Sequence, residues 1–224
     1  MPSPLPVPPA VFFDLDGTLV DSAPDLGGAC DWLRAQRSLP PLGIAAYRPA
    51  ASAGARGLLQ VAFGVQPEDP EFEALRQQFI ARYEAHLADN TYAFDGIAEL
   101  IAALQARGIS WGIITNKSIE LTRVLVSRMP LLQSAVAVVG GNSAAAPKPS
   151  AAPMLLAGKL AGVDITQCWY VGDDERDIQA ARAAHMPCAI AAGWGYAPSS
   201  ALHHWGADAV CSHPAQILDI LASA

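Results

Sequence analysis

Asp14 and Asp16 stand two residues apart where an apolar run, Val11 to Leu15, breaks into Gly17. A β-strand sends residues i and i+2 to the same side, so both carboxylates can reach one small site. Gly17 lets the backbone turn away directly behind them. Two carboxylates at the carboxyl end of a buried strand suit a Mg²⁺ ion, covalent catalysis or an acid/base pair. Taken alone, the same residues also read as an ordinary Asx turn.

Three later blocks carry further chemistry. Thr115 and Asn116 end the apolar run Ile113-Ile114, where a hydroxyl, a side-chain amide and backbone amides can bind a transferring phosphoryl group or cap the next helix. Lys148 lies between Pro147 and Pro149, which hold its backbone extended and let its ammonium be aimed at a fixed point. Asp173, Asp174, Glu175 and Asp177 follow the apolar Cys168–Val171 and precede a helical pattern through Ile178, Ala181 and Ala184. Carboxylates there suit a metal, while helix capping is the competing reading for Asp174 and Glu175. An anionic substrate would repel an attacking carboxylate by about 4 kcal/mol at roughly 4 Å and an effective dielectric of about 20. Mg²⁺ between oxygen ligands and such a substrate offsets that repulsion, and Asp14 and Asp173 are suitable ligands.

The elements that must position these groups follow from periodicity. Strand-like runs recur at 11–15, 110–115, 135–139, 168–172, 187–191 and 207–211, most of them separated by helix-like segments. Such repeated βα units predict an α/β fold with a doubly wound, mostly parallel sheet. Between the first two runs, residues 20–92 follow helical spacing instead, with Phe72, Leu75, Phe79, Tyr83 and Leu87 on one face. Pro40-Pro41 and Pro67 to Pro70 interrupt that insert, which predicts three or four helices. The layout expected is an N-terminal arm over 1–10, a core of 11–19 plus 93–224, and a helical insert over 20–92.

Composition narrows the partners. The chain has 224 residues, is 52% apolar and carries a net charge of -7, which permits a substantial core and gives no electrostatic case for nucleic acid. No apolar run reaches membrane-spanning length. The prolines of the first ten residues, without Lys or Arg, do not resemble a secretory signal. Cys30, Cys168, Cys188 and Cys211 form no C-x-x-C pair and read as reduced thiols of a cytoplasmic protein. His86, His203, His204 and His213 show no ligand spacing. Oligomeric state leaves no legible signal.

In order and spacing, the four blocks resemble the motifs of the haloacid dehalogenase superfamily, and Phe13 to Pro24 resembles its phosphoglycolate phosphatase branch. The resemblance implies a Rossmann-like core with a helical cap hinged near 20–24 and 88–94. It implies an Mg²⁺-dependent phosphatase of a small phosphorylated metabolite, with Asp14 as the nucleophile that forms an aspartyl-phosphate and Asp16 as acid and base. By the same resemblance Asp14, the Asp16 backbone oxygen and Asp173 hold Mg²⁺. Gly17, Thr115, Asn116 and Lys148 bind the phosphoryl group, and Asp177 supports Lys148 or a bound water. Cap residues 52–57 resemble the loop that closes over substrate, which would put Arg56 on a substrate carboxylate.

Gly54-Ala55-Arg56, Phe72 to Arg76, Gly172 to Ile178 and Trp205 to Asp208 also resemble bacterial N-acetylmuramic acid 6-phosphate phosphatases. Both substrates therefore stand as expectations, 2-phosphoglycolate first. Departures from the superfamily pattern are Ser118 and Ala151 in place of prolines and His185 in place of a helix-ending glycine. None removes a reacting group. Asp16 argues against a dehalogenase, whose leaving halide needs no proton, and the lack of a histidine near Leu26 argues against a sugar phosphomutase. A catalytically silent binding protein would be expected to lack Asp14, Asp16, Lys148 or Asp173, and all are present.

Overall fold

The structure is a computed structural model that describes residues 6–223. Six strands form one sheet: β1 (Ala10–Phe13), β4 (Ser110–Ile114), β5 (Val138–Val139), β6 (Trp169–Gly172), β7 (Cys188–Ala192) and β8 (Ala209–Cys211). Their order is β5-β4-β1-β6-β7-β8, and every pairing is parallel. Alternation explains why the central strands are continuously apolar. Val11, Phe13, Trp169, Val171 and Ile190 pack into one core, and Ala10, Phe12, Tyr170, Ala189 and Ala191 into another on the opposite face.

Helices cover both faces, as a doubly wound sheet requires. Ile97, Leu100 and Leu104 of α5 (Ile97–Ala106), Leu125 of α6 (Ile119–Arg128) and Ile217 of α10 (Ala215–Ala222) close the first core. Met154 and Ala157 of α7 (Ala152–Ala161), Ile178 and Ala181 of α8 (Glu175–Ala183) and Leu202 of α9 (Ser199–Leu202) close the second. The chain winds from β1 towards β5, then returns to β6 and proceeds to β8. The switch in direction therefore falls between β1 and β6, where parallel α/β sheets open a crevice at the strand ends.

The insert leaves and re-enters this core through one short antiparallel ribbon, β2 (Val20–Asp21) paired with β3 (Tyr92–Ala93). Asp21 is buried there and takes Arg48 at 2.7 Å, the Tyr92 hydroxyl at 2.7 Å and the Tyr196 hydroxyl at 3.2 Å. Between the two strands lie α1 (Ala23–Ala35), α2 (Ile44–Tyr47), a 3-10 turn (Arg48–Ala53), α3 (Gly54–Phe63) and α4 (Phe72–Ala85). The apolar stripe from Phe72 to Leu87 is buried as its spacing predicts, and it joins the core that contains Val11 and Phe13.

Some boundaries differ from the periodicity. Ala10 already belongs to β1, so the expected arm ends at Pro9, and Met1 to Leu5 lie outside the described residues. The run 135–139 yields only Val138–Val139 as strand, because an edge strand has one neighbour and the chain arrives from a 3-10 turn at Pro130–Ser134. The run 207–211 starts late because the Asp208 side chain, not its ladder carbonyl, accepts from the Ala189 amide at 2.7 Å.

His185 ends α8 with φ at 57°, the left-handed conformation that glycine adopts at least cost, and its side chain is exposed. His185→Gly is expected to stabilise the protein by about 1 kcal/mol in urea denaturation. A loss of stability would show that the imidazole makes a contact worth more than the backbone strain.

Candidate active site

Asp14 directly follows β1, and its amide donates to Val171 of β6 at 2.9 Å, so strand pairing extends up to the carboxylate. Asp173 directly follows β6, on the other side of the switch-point crevice. Gly17 permits their approach, since its φ is +87° and a Cβ there would lie 2.2 Å from the Asp173 Oδ2. Asp177 sits in the first turn of α8, its Oδ2 accepting from the Asp174 amide at 3.1 Å, while Asp174 caps the helix through the Arg176 amide at 2.9 Å. The capping reading of Asp174 thus describes its position.

Lys148 is the cation at the centre. Its Nζ lies 2.9 Å from Asp14 Oδ1 and 2.6 Å from Asp177 Oδ1, and donates to the Tyr170 hydroxyl and the Ile114 carbonyl, each at 3.0 Å. Asn116 fixes its backbone: the Lys148 amide donates to Asn116 Oδ1 and the Asn116 Nδ2 donates to the Lys148 carbonyl, both at 2.9 Å. The side-chain amide expected on a phosphoryl group is therefore committed to Lys148. Thr115, buried at the end of β4, accepts from the Lys117 amide at 3.2 Å.

One atom of oxygen from each of Asp14, Asp173 and Asp177 lies within 4.8 Å of the other two, all three residues buried. Burial, then Asp14 and Asp177, push the Asp173 carboxyl well above its ordinary range. Burial raises Asp177 too, against the pull of Lys148. On Lys148 burial opposes the charge, but Asp14 and Asp177 outweigh it and hold the ammonium above its ordinary range. Three carboxylates against one ammonium suit a divalent cation. Asp14 Oδ1 fits that reading best: it is buried and, although Lys148 is 2.9 Å away, no donor meets it with hydrogen-bond geometry. Asp173 and Asp177 both accept from protein donors at each oxygen, Asp173 from Thr18, Ser52 and the Tyr196 amide, so the unmet oxygen singles out Asp14 alone.

Asp16 turns away from this cluster. Its Oδ1 accepts from Ser22 Oγ at 2.5 Å, and both its oxygens lie 3.0 Å from Lys117 Nζ. Lys117 also donates to the hydroxyl of Tyr83, on α4, at 2.8 Å. Asp16, Lys117 and Tyr83 line a cavity of about 590 Å³ between core and insert, with Asp14, Lys148 and Arg176 towards the core and Leu26, Phe79 and Ile80 from the insert. Ser52 reaches across from the insert, its Oγ 3.4 Å from Asp173 Oδ2 and its carbonyl accepting from Arg176 at 2.8 Å.

Arg56 requires a correction. The insert meets the cavity with Ala51 to Ala55, and Arg56 is exposed in the first turn of α3, outside the lining. The cations that do line it besides Lys148 are Lys117 and Arg176. Lys117 stands beside Thr115 and Asn116 in a block already singled out, and that adjacency was its only signal. Tyr83 follows the spacing of a core residue, so periodicity hides its hydroxyl.

The model of haloacid dehalogenase-like hydrolases matches residues 8–185. The chain belongs to that family. It is 42% identical over 215 residues to a phosphoglycolate phosphatase of Xanthomonas campestris pv. campestris, covering 94% of this chain and 95% of the relative. It is also 38% identical over 213 residues to an N-acetylmuramic acid 6-phosphate phosphatase of Pseudomonas aeruginosa, covering 95% and 94%. Among solved structures, a predicted phosphoglycolate phosphatase from Haemophilus somnus 129pt superposes with a TM-score of 0.83 at 26% identity, over 96% of this chain and 99% of that one. The chain is thus a phosphomonoester hydrolase of the haloacid dehalogenase-like family.

Two outcomes follow for this member of the family. Asn116→Ala, which frees the Lys148 backbone, is expected to lower kcat by about tenfold or more while leaving the thermal midpoint within a few degrees. A group whose carboxyl pKa is raised by folding stabilises the fold at low pH and loses that contribution as pH rises through the raised value. The metal-free protein should therefore lose stability towards alkaline pH, and a divalent cation, which binds ionised carboxylates, should raise its Tm more at about pH 8 than at about pH 5.5. Equal gains in calorimetry at both would show that Asp173 is already ionised without metal.

Proposed function

We propose that the protein is an Mg²⁺-dependent phosphatase that works through an aspartyl-phosphate on Asp14. The observation that carries this reading is the buried Asp14 Oδ1, without a hydrogen-bond donor and 2.9 Å from the Lys148 ammonium. The Asp14 and Asp173 carboxylates and the Asp16 backbone oxygen would hold the ion, with Asp177 orienting Lys148. Bound there, Mg²⁺ would supply positive charge to the phosphoryl oxygens.

The remaining steps belong to the chain. An Asp14 oxygen attacks phosphorus as the bond to the leaving oxygen breaks, and Asp16 gives its proton to that oxygen. Asp16 then takes a proton from water, whose oxygen attacks phosphorus and breaks the bond to Asp14, releasing phosphate. Lys148, the Thr115 hydroxyl and the backbone amides after Asp14 and β4 stabilise charge on the transferring group. Four buried free cysteines support a reducing, cytoplasmic setting.

The substrate reading rests on space. The two-carbon leaving group of 2-phosphoglycolate fills little of a cavity of about 590 Å³ with apolar walls at Leu26, Phe79, Ile80 and Leu121. An amino-sugar phosphate fills far more of it, so the volume favours N-acetylmuramic acid 6-phosphate, the substrate named for one group of relatives. 2-Phosphoglycolate, named for the other, is the second reading.

Purified Asp14→Asn is expected to lose turnover while keeping its fold by circular dichroism, and undiminished steady-state activity would overturn the nucleophile. Chelation should abolish activity and Mg²⁺ restore it, whereas Ca²⁺, with its looser and higher coordination, should not. A kcat/KM for N-acetylmuramic acid 6-phosphate no higher than for 2-phosphoglycolate would remove the argument from volume.

A further inference from the structure

Among the described residues three cations line the cavity, and two face carboxylates that need not leave them. Lys148 is surrounded by Asp14, Asp177, Tyr170 and the Ile114 carbonyl. Arg176 is held by both oxygens of Asp174, at 2.7 and 2.8 Å, and by the Ser52 carbonyl. Lys117 differs. Among the described residues its counter-charge is Asp16, at 3.0 Å, and its other partner is the neutral hydroxyl of Tyr83. Its side chain is only 8% exposed, so it depends on that counter-charge.

Asp16 has another duty. Resting on the reading of this site as a phosphomonoesterase, its carboxyl must turn from Lys117 towards the leaving oxygen. That rotation would strand a buried ammonium unless another anion took its place. The Lys117 ammonium and the Tyr83 hydroxyl are two donors converging beside Asp16, on the wall where insert and core meet. Phe79, Ile80 and Leu121 add apolar surface to the lining of the same cavity, which Glu84 and Glu120 also reach. A carboxylate, with two acceptor oxygens, matches two such donors.

We propose that Lys117, assisted by Tyr83, is the specificity-determining residue that binds a carboxylate on the leaving group of the substrate, exchanging Asp16 for that carboxylate. Substrate then releases Asp16, which takes up a proton from solvent once it has left Lys117 and carries it to the leaving oxygen, and a phosphomonoester without a carboxylate leaves the Lys117–Asp16 pair intact. Selectivity for the acid is thereby tied to catalysis, and the exposed Arg56 takes no part in it.

Two matched pairs test this: N-acetylmuramic acid 6-phosphate against N-acetylglucosamine 6-phosphate, and 2-phosphoglycolate against 2-hydroxyethyl phosphate. The first pair differs by the lactyl ether that carries the carboxylate, the second by the carboxylate itself, exchanged for a hydroxymethyl group. The readout is the ratio of kcat/KM within a pair, which a general loss of activity does not move. Wild type should favour the acid by about tenfold or more in at least one pair. Lys117→Met should bring that ratio close to one, Lys117→Arg should keep most of it, and Tyr83→Phe should lower it in part. A wild-type ratio near one in both pairs, or a wild-type ratio retained by Lys117→Met, would overturn the proposal. Should Lys117→Met not fold, the wild-type ratio and that of Tyr83→Phe decide it. Failure of all four compounds to be hydrolysed, with p-nitrophenyl phosphate also inert, would instead overturn the phosphatase reading and this inference with it.

Discussion

Three carboxylates buried around one ammonium form the constraint on which the site depends. Asp14, Asp173 and Asp177 converge within 4.8 Å, and Lys148 is the cation in contact with two of them. Buried charge of one sign is tolerated only if geometry and hydrogen bonds are tightly controlled, and the surrounding structure supplies that control. Parallel pairing of β1 with β6 sets Asp14 beside Asp173, and Gly17 and Gly172 remove the Cβ atoms that would collide with Asp173 and Asp177. The capping box of α8 orients Asp177, and Asn116 holds the Lys148 backbone at both its amide and its carbonyl. The excess negative charge is what makes a divalent ion a natural occupant.

A second ionic group ties the insert to this centre. Asp16, Lys117 and Tyr83 connect β1, β4 and α4, and Arg176 with Ser52 connects α8 with the 3-10 turn of the insert. Both contacts cross the cavity, so the position of the insert and the arrangement of the ionic groups on the core are linked through side chains and not only through the ribbon at Asp21. A phosphatase needs such a division: the core handles a phosphoryl group common to many metabolites, and the insert supplies surface that can distinguish what carries it.

The legible part of the fold was the part governed by short-range rules. Alternation marked the strands, helical spacing marked the buried face of α4, and prolines marked the breaks in the insert. The placement of Asp14, Thr115 and Asp173 was legible because each stands where a strand ends, and that of Lys148 because it lies between two prolines. Strand lengths at the sheet edges were less so. β5 and β8 are shorter than their apolar runs, because ladder pairing depends on what the neighbouring strand and the incoming loop present.

By itself, then, the sequence determined the class of fold and the order of its reactive blocks, since these follow from periodicity and spacing along the chain, while the resemblance of those blocks to a known family pointed to phosphoryl chemistry. Tertiary structure decided which side chains share the cavity. It left Arg56 in solvent, spent the Asn116 amide on Lys148, and brought Lys117 between Asp16 and Tyr83, residues 101 and 34 positions away. Contacts over such separations depend on the packing of whole elements, and no local pattern encodes the direction in which a side chain will find its partner.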